Sequence, residues 1–470
     1  MIAEPQKLVQ LTRTENELLE LERRYSSWGD TVHYLDPPKF FARAEGSYLY
    51  DRDGTPYLDL QMWYSAASFG YGNARLNDAL VRQLKTLPQL ASQYLHPERV
   101  ELAAAIARVN ASKFGMDGRV HFNVGGSQAI EDSLKIVRNA TGKSLVFAFM
   151  GGYHGRTLGA SAITSSYRYR RRYGHFSDRA HFVPFPYCFR CPYDKRRETC
   201  ELYCVDQFAK NFETEYNSFW DAKAGESEFS AFYVEPIQGT GGYVIPPREY
   251  FPALKKILEE RNILMVDDEI QMGFYRAGRF WAIENFGVAP DIVVFGKAMT
   301  NGLNPLSGVW AREDLISPEV LPPGSTHSTF ASNTLGTAVA LEAIRMMEEE
   351  NYQRITQTKG AYFLTQLRNL QQRYPRVIGH VDGLGLALRL EICREDGHEP
   401  DRELTDKIFK DGLTGDLNLR GRRMGLVLDV GGYYKNVFTL SPCFEISEEE
   451  IDIAVELIEL LIRRCAPDRC

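Results

Sequence analysis

A short stretch past the middle of the chain constrains the fold most, because two apolar runs there end in residues with reactive side chains. Residues 263–266 (ILMV) lead into Asp267 and Asp268, and residues 292–296 (IVVFG) lead into Lys297. Short apolar runs bounded by polar or glycine residues are typical of buried strands in a parallel sheet. Open α/β sheets bind ligands at the carboxyl ends of their strands. An acid and a lysine at that edge favour a lysine that forms a Schiff base.

The region from residue 119 to residue 297 alternates between two patterns. Short apolar runs predict strands at 120–124, 144–150, 231–235 and 263–266. Apolar residues at helical spacing predict helices at 127–138 and 251–261. Alternating strands and helices are the signature of an α/β fold with a mostly parallel sheet flanked by helices.

The length of the chain, 470 residues, favours two domains or one large domain with an appendage. The part beyond residue 335 mixes helices with short strands, which predicts a smaller α+β domain. We therefore expect an N-terminal segment (1–75) that contributes to the small domain, a large domain (76–335) and a C-terminal small domain (336–470).

Composition and charge narrow the class of partner. The chain is 44% hydrophobic and carries a net charge of −7. A mildly acidic balance gives no general reason to expect nucleic acid or an anionic membrane as a partner. The first 25 residues lack a charged region followed by an apolar one, and no apolar stretch is long enough to cross a bilayer. These features predict a cytoplasmic protein.

Two glycine-containing turns follow predicted strands. Gly126 and Ser127 lie where a strand gives way to a helix, and free N–H groups at a helix start bind phosphate well. Many such turns contain glycine for geometry alone, so this pattern is weak by itself. Tyr153 and His154, framed by glycines, could stack on a flat cofactor or simply form a packed turn.

Four cysteines lie close together in a polar segment. Cys188, Cys191, Cys200 and Cys204 form a C-x2-C, C-x3-C arrangement. Four thiolates at this spacing can hold a structural zinc ion or ligate an iron–sulfur cluster. Two alternatives remain open: free thiols in a reduced cytoplasm, or a redox-labile disulfide pair.

Six segments, in order along roughly residues 40–460, resemble the class III aminotransferases of the pyridoxal-phosphate fold-type I superfamily. They read NVGGSQAIEDSLKIVR, GGYHGRTLGA, EPIQGTGGYVIPP, VDDEIQMGFYRAGRF, PDIVVFGKAMTNGLNPLSGV and HSTFASNTLG. The resemblance implies a large cofactor-binding domain with a smaller α+β domain, and pyridoxal 5′-phosphate as cofactor.

The resemblance also implies roles for individual residues. Lys297 would form the Schiff base with the cofactor and then move a proton between the substrate Cα and the cofactor. Asp268 would pair with the pyridine nitrogen and keep it protonated. The other implied cofactor contacts are Gln271 at the ring hydroxyl, Gly126 and Ser127 at the phosphate, Tyr153 stacked on the ring with His154 beside it, and Glu235 orienting the Gln271 region.

Thr329 carries a further implication of the resemblance. It would reach the phosphate of the cofactor bound to a neighbouring subunit. This implies a homodimer with shared active sites.

The substrate pocket departs from the family pattern. Where many relatives carry a glutamate this chain has Thr240, and where relatives that use amino acids carry an arginine it has Thr439. Loss of both charged partners together is consistent, since a lone buried carboxylate is costly. A substrate carboxylate would then meet Lys435, Arg276 or the basic run 168–172. The aromatic segment containing Trp63 and Tyr64 would wall the pocket.

The leading hypothesis is therefore an aminotransferase acting between an amine or amino acid, with ω-amino donors favoured, and a 2-oxo acid. The alternative from the same family is an amino-acid racemase or epimerase. A regulatory protein without catalysis is a third hypothesis, which the presence of Lys297, Asp268 and Gln271 disfavours. The sequence does not choose among 4-aminobutyrate, a diamine, lysine, ornithine or another amine.

Overall fold

The structure, a computed structural model, describes residues 13–29, 32–174, 180–217 and 219–470. The first twelve residues of the predicted N-terminal segment lie outside the described residues. The described part of the chain forms strands and helices throughout its length.

The strands are β1 Phe41–Glu45, β2 Tyr48–Asp51, β3 Pro56–Asp59, β4 Gly118–Asn123, β5 Leu145–Phe149, β6 His181–Val183, β7 Phe229–Val234, β8 Leu264–Asp268, β9 Ile292–Phe295, β10 Ser307–Arg312, β11 Ile378–Leu384, β12 Ala387–Ile392, β13 Leu417–Leu419, β14 Arg422–Val427, β15 Asp429–Gly431 and β16 Val437–Leu440.

The helices are α1 Glu15–Tyr25, α2 Met62–Ser65, α3 Ala74–Thr86, α4 Pro97–Phe114, α5 Gly126–Thr141, α6 Leu158–Ile163, α7 Tyr167–Arg170, α8 Tyr203–Ala209, α9 Tyr250–Glu260, α10 Thr334–Glu349, α11 Tyr352–Arg373, α12 Arg402–Leu413 and α13 Glu448–Cys465. The single turn α2 is unusual, since all four of its residues have positive φ.

A seven-stranded sheet forms the centre of the molecule, in the order β4-β10-β9-β8-β7-β5-β6. Adjacent strands from β9 to β6 are parallel, and β10 alone runs antiparallel to both of its neighbours. The mostly parallel sheet predicted from the sequence is confirmed. The sequence analysis did not predict β10, which continues the lysine-containing segment.

Two smaller sheets accompany the large one. The sheet β1-β2-β3-β14-β13 joins N-terminal strands to strands near the C-terminus through the parallel pair β3 and β14. The sheet β11-β12-β16-β15 is antiparallel. The shared sheet supports grouping residues 1–75 with the C-terminal part of the chain, and the domain boundaries themselves stay predictions.

Helix α5 shows why the sequence folds this way locally. It begins at Gly126 and ends at Thr141, and the next residue, Gly142, adopts a left-handed conformation that suits glycine. Its buried side chains Ile130, Leu134 and Val137 lie three to four residues apart and pack on the large sheet. This packing fixes the start of the helix at the carboxyl end of β4.

No helix among the described residues combines the length and the apolar character that a bilayer crossing requires.

Candidate active site

The carboxyl ends of three parallel strands place charged side chains at one edge of the large sheet. Glu235 directly follows β7, Asp268 is the last residue of β8, and Lys297 lies two residues after β9. Because parallel strands end at the same edge, these groups converge there. The negative charges of Asp268 and Glu235 both act on the Lys297 amine.

The Lys297 amine is partly buried and free. Within the described parts of the chain its Nζ has no hydrogen-bond or ion-pair partner. Burial lowers the pKa of the amine, although nearby carboxylates oppose the shift. A lowered pKa increases the fraction of neutral amine, which is the form that attacks an aldehyde. Lys297 also has a φ of 43°, a strained conformation of the kind that clusters at functional sites.

His154 and Asp268 form a buried pair. His154 Nδ1 lies 2.8 Å from Asp268 Oδ2, and Ile270 N donates to Asp268 Oδ1 over 3.2 Å. Burial alone would lower the pKa of His154, but the hydrogen bond to Asp268 and the charges of Asp268 and Glu235 raise it above its ordinary value. His154 therefore supports the negative charge of Asp268, whose remaining lone pairs can accept another proton donor.

Glu235 orders the loop that carries Tyr153. Its Oε1 accepts from Tyr153 N and its Oε2 from Gly239 N, both over 2.9 Å. Burial raises the pKa of Glu235 to about 7, while the charge of His154 opposes the shift. The structure thus places Glu235 against the backbone of Tyr153 and Gly239, and Gly239 in turn packs against the Gln271 side chain.

The Tyr153 ring lies in an aromatic and cationic cluster. Arg156 Nε donates to its hydroxyl over 3.2 Å, and the Tyr169 ring meets it edge to face at 5.1 Å. The Arg156 guanidinium lies 4.4 Å from the centre of the Tyr169 ring. These contacts fix the Tyr153 ring beside the site.

The start of α5 forms a cradle for an anion. No side chain caps the helix, and a Cβ at Gly126 would lie 2.8 Å from Ile270 Cδ1. Ser127 Oγ accepts from Arg156 N over 3.2 Å, and its hydroxyl proton remains free to donate. Uncapped N–H groups and the helix dipole at this position favour a phosphate.

A chain of hydrogen bonds leads from Gln271 to the turn α2. Gln271 Nε2 donates to the Tyr243 hydroxyl over 3.0 Å, and that hydroxyl lies 3.3 Å from Ser65 Oγ. In the same turn Trp63 lines a cavity of about 330 Å³, and the Tyr64 and Tyr34 hydroxyls lie 2.6 Å apart. The aromatic segment thus lies next to the residues expected to hold the cofactor ring.

Thr240 and Thr439 flank the β15 strand. The Thr240 carbonyl accepts from Gly432 N over 3.0 Å, and a Cβ on Gly431 would lie 3.1 Å from Thr439 Cγ2. The Thr439 hydroxyl is buried and donates to Asp429 Oδ2 over 2.6 Å. The sequence analysis missed Asp429. The signal was present, since Asp429 ends the apolar run GLVL just as Asp268 ends ILMVD.

Arg276 and Lys435, both suggested to bind a substrate carboxylate, differ in whether their side chains are free to do so. Arg276 is fully buried and donates to the Leu386 and Pro442 carbonyls and to Ser68 Oγ. The suggestion that Arg276 meets a substrate carboxylate is therefore wrong, because its guanidinium is bound within the protein. Lys435 is only partly buried.

The four clustered cysteines line one small cavity. Cys188 Sγ points to the Pro186 carbonyl and Cys200 Sγ to the Arg197 carbonyl. Among the described residues, which include all four cysteines, no three histidine, cysteine or acidic side chains are placed to hold a metal ion. All eight cysteines are free thiols. The structure does not support the predicted zinc site.

The donor set at the sheet edge fits pyridoxal 5′-phosphate. The glycine start of α5 suits its phosphate, the Asp268 carboxylate suits a protonated ring nitrogen, and the free Lys297 amine suits an aldehyde. Thr329 lies apart from this set. It is exposed, in the loop between β10 and α10.

Comparison with known proteins gives one family and several relatives. A model of the family described as aminotransferase class-III matches residues 31–462. The alanine/serine racemase of Pyrococcus horikoshii is 32% identical over 95% of this chain and 90% of its own length. The leucine/methionine racemase of Thermococcus litoralis is 29% identical over 95% of both chains.

Aminotransferases are also among the matches. The probable 4-aminobutyrate aminotransferase of Bacillus subtilis is 28% identical over 90% of this chain and 92% of its own length. An amine transaminase of an uncultivated Pseudomonas species, solved in its PLP-bound form, superposes with a TM-score of 0.82 at 25% identity. That alignment covers 94% of this chain and 99% of the other.

Proposed function

The chain belongs to the class-III aminotransferase family, and from that premise we propose that it transfers an amino group between an amine or amino acid and a 2-oxo acid. The observation that carries the proposal is the convergence of a free Lys297 amine, the Asp268–His154 pair and the uncapped start of α5 at one sheet edge. The cofactor implied by this set is pyridoxal 5′-phosphate.

Bound at this edge, pyridoxal 5′-phosphate supplies an aldehyde that condenses with amines and a ring that withdraws electrons from the substrate Cα. Lys297 would hold the cofactor, and its amine would then act as the base that moves the Cα proton. Asp268, supported by His154, holds a proton at the ring nitrogen. That proton keeps the ring able to accept electrons.

The remaining residues bind and orient. The N–H groups of Gly126 and Ser127 hold the phosphate, and Tyr153, with its backbone fixed by Glu235, covers one face of the ring. Gln271, fixed by Tyr243, binds the ring hydroxyl. Trp63 and Tyr64, in the turn next to Gln61 and Ser65, would wall the substrate side.

A second candidate function is amino-acid racemisation. Its support is that the P. horikoshii and T. litoralis relatives, with identities of 32% and 29%, are both racemases. Racemisation requires return of the Cα proton on the opposite face and no second half-reaction with an oxo acid. The same cofactor and the same Lys297 serve both reactions.

One experiment separates the two functions. The purified holoenzyme is mixed with an amino donor in deuterium oxide without any acceptor. For transamination we expect stoichiometric conversion of the bound cofactor from its aldehyde to its amine form, and release of one equivalent of oxo product. A persistent aldehyde form, with deuterium entering Cα and loss of optical activity, would instead establish racemisation. The buffer without donor is the control.

We also propose that the protein is a homodimer with shared sites. Three large apolar side chains near Thr329 are strongly exposed: Tyr94 (65%), Leu95 (73%) and Phe330 (70%). Their loops touch, since His96 Nε2 lies 3.2 Å from the Ser332 carbonyl. Contiguous exposed apolar surface of this kind is typical of an interface. A second copy seated here would bring Thr329 to its cofactor phosphate.

Phe330→Glu is therefore expected to shift the protein from dimer to monomer and to weaken cofactor retention, because a charge at the centre of the apolar patch would be desolvated on association. Analytical ultracentrifugation with absorbance detection of the cofactor measures both effects. Tyr216→Glu, at a side chain that is 97% exposed elsewhere, is the matched control and is expected to change neither. An unchanged dimer in Phe330→Glu would contradict the proposal.

The cytoplasmic location also remains a prediction. Its support is that all eight cysteines are free, since thiols stay reduced in the cytoplasm.

A further inference from the structure

The charge of Asp429 acts on the Lys297 amine, but Asp429 has no role in the mechanism described above. Burial lowers the pKa of the Lys297 amine, and the negative charge of Asp429 opposes that shift. Burial raises the pKa of the Tyr64 hydroxyl, and the negative charge of Asp429 adds to that upward shift. The side chain of Gln61, which directly precedes α2, donates to Asp429, so Asp429 lies next to the turn that carries Trp63 and Tyr64.

Two rigid elements hold the Asp429 carboxylate. Its Oδ2 accepts from Thr439 Oγ1 over 2.6 Å, and the two residues are directly opposed in the antiparallel pair β15 and β16. Its Oδ1 accepts from Gln61 Nε2 over 3.3 Å. Gln61 is itself fixed, because its N–H donates to Asp59 Oδ1 over 2.7 Å and its carbonyl accepts from Ser441 Oγ over 2.9 Å.

Both hydrogen-bond donors to Asp429 are neutral. Among the described residues no lysine, arginine or histidine nitrogen lies within 4.0 Å of its carboxylate. Burial raises the pKa of Asp429, although hydrogen bonds from Thr439 and Gln61 and the charges of Lys435 and Lys297 oppose the shift. A carboxylate withdrawn from water without an ion-pair partner costs free energy. A cationic group on a ligand would supply that partner.

Lys435 does not fill this role. It is partly buried, and burial lowers the pKa of its amine although the charge of Asp429 opposes the shift. Among the ion pairs of the described residues, none joins the Lys435 ammonium to Asp429. The charges of Arg168 and Arg402 also lower the pKa of Lys435, so its surroundings already contain other cations.

Resting on the proposed function, we propose that Asp429 binds a positively charged group at the far end of the amino donor. The site then takes diamines and basic amino acids in preference to neutral or acidic donors. Thr439 and Gln61 act as positioning residues that orient the carboxylate.

The test compares three donors of equal chain length that differ in the charge of the distal group: 1,4-diaminobutane, 1-aminobutane and 4-aminobutanoate. The variant Asp429→Asn retains the size of the side chain and removes its charge, and its amide oxygen can still accept from Gln61 while its NH2 group donates to the Thr439 hydroxyl. We expect kcat/KM for the diamine, relative to 1-aminobutane, to fall about 10- to 100-fold, as for loss of a hydrogen bond to a charged group. The relative kcat/KM for 4-aminobutanoate should rise. Asp314→Asn, at an exposed ion pair with Arg312, is the charge-matched control.

A second experiment measures binding alone and does not depend on turnover. N,N-dimethyl-1-aminobutane carries a cation but cannot form a Schiff base, and 1-butanol is a neutral comparator. Calorimetry on the holoenzyme should show that Asp429→Asn weakens binding of the tertiary amine about 10-fold or more and leaves the alcohol unchanged.

The outcomes distinguish a failure of the proposed transamination from a failure of the proposed role of Asp429. If no donor converts the cofactor but the tertiary amine binds in an Asp429-dependent way, transamination fails and the inference stands. If donors react and Asp429→Asn changes neither the donor ratio nor amine binding, the inference fails alone. A fall in kcat/KM for 4-aminobutanoate would also overturn it, since Asp429 would then serve to orient Lys435 toward a carboxylate.

Discussion

Replacement of Lys297 by alanine is expected to abolish covalent attachment of the cofactor and nearly all turnover. The free, partly buried amine of Lys297 is the group that bonds the cofactor aldehyde and carries the Cα proton. Loss of positioned proton transfer alone lowers rates by about 10²- to 10⁴-fold. Borohydride reduction followed by peptide mass analysis measures the attachment, and single-turnover kinetics measure the rate.

Lys359→Met is the matched control. Burial lowers the pKa of the Lys359 amine as it does for Lys297, but the Lys359 ammonium donates to the Phe444 carbonyl over 2.9 Å. This variant should still be trapped by borohydride at Lys297. Trapping of the cofactor on another lysine, or turnover that survives in Lys297→Ala, would refute the assigned role.

The fold was largely predictable because the strands that carry it are short apolar runs separated by amphipathic helices. The exception, β10, depends on pairing with β4, whose residues precede it by more than 180 positions. No local pattern shows that an antiparallel strand inserts between β4 and β9. The family resemblance and the fold class are confirmed by the comparisons.

The site was less predictable wherever long-range contacts decide a role. Asp429 occupies a strand of three residues, and its partner Gln61 is 368 residues away in the chain. His154 could be read as a stacking residue from its neighbours, whereas the structure pairs it with Asp268, which is 114 residues away. The spacing of the four cysteines permits a metal site, but the thiols of two of them, Cys188 and Cys200, turn toward backbone carbonyls instead.

Asp267 and Asp268, which are adjacent in the chain, show the same limit of prediction from sequence. Successive side chains of a strand point to opposite faces, so Asp267 and Asp268 must face different surroundings, and the pattern alone does not say which faces the ligand. Asp268 meets His154. Asp267 shares its face with Glu269, and burial together with that neighbouring charge raises the pKa of Asp267 well above its ordinary range.

Asp268→Asn is expected to lower kcat about 10²- to 10³-fold while the cofactor stays bound through Lys297 and the start of α5. The amide has the size of the carboxylate but no charge to hold a proton on the ring nitrogen, and removal of one preorganised electrostatic group costs this much. The pKa of His154 should fall as well, because burial remains while the carboxylate that raises it is lost. Single-turnover kinetics and ¹⁵N-histidine titration measure the two effects.

Asp267→Asn makes the identical change one residue earlier and should leave kcat within a few fold. The raised pKa of Asp267 favours its neutral form, which asparagine resembles. When folding raises the pKa of a carboxyl, that group destabilises the folded state as the pH rises above its pKa in the unfolded chain, which is about 4. Asp267→Asn should therefore raise the melting temperature at alkaline pH and not below pH 4 or so. Equal losses of kcat in both variants would show that general disturbance of β8, rather than the charge of Asp268, limits the reaction.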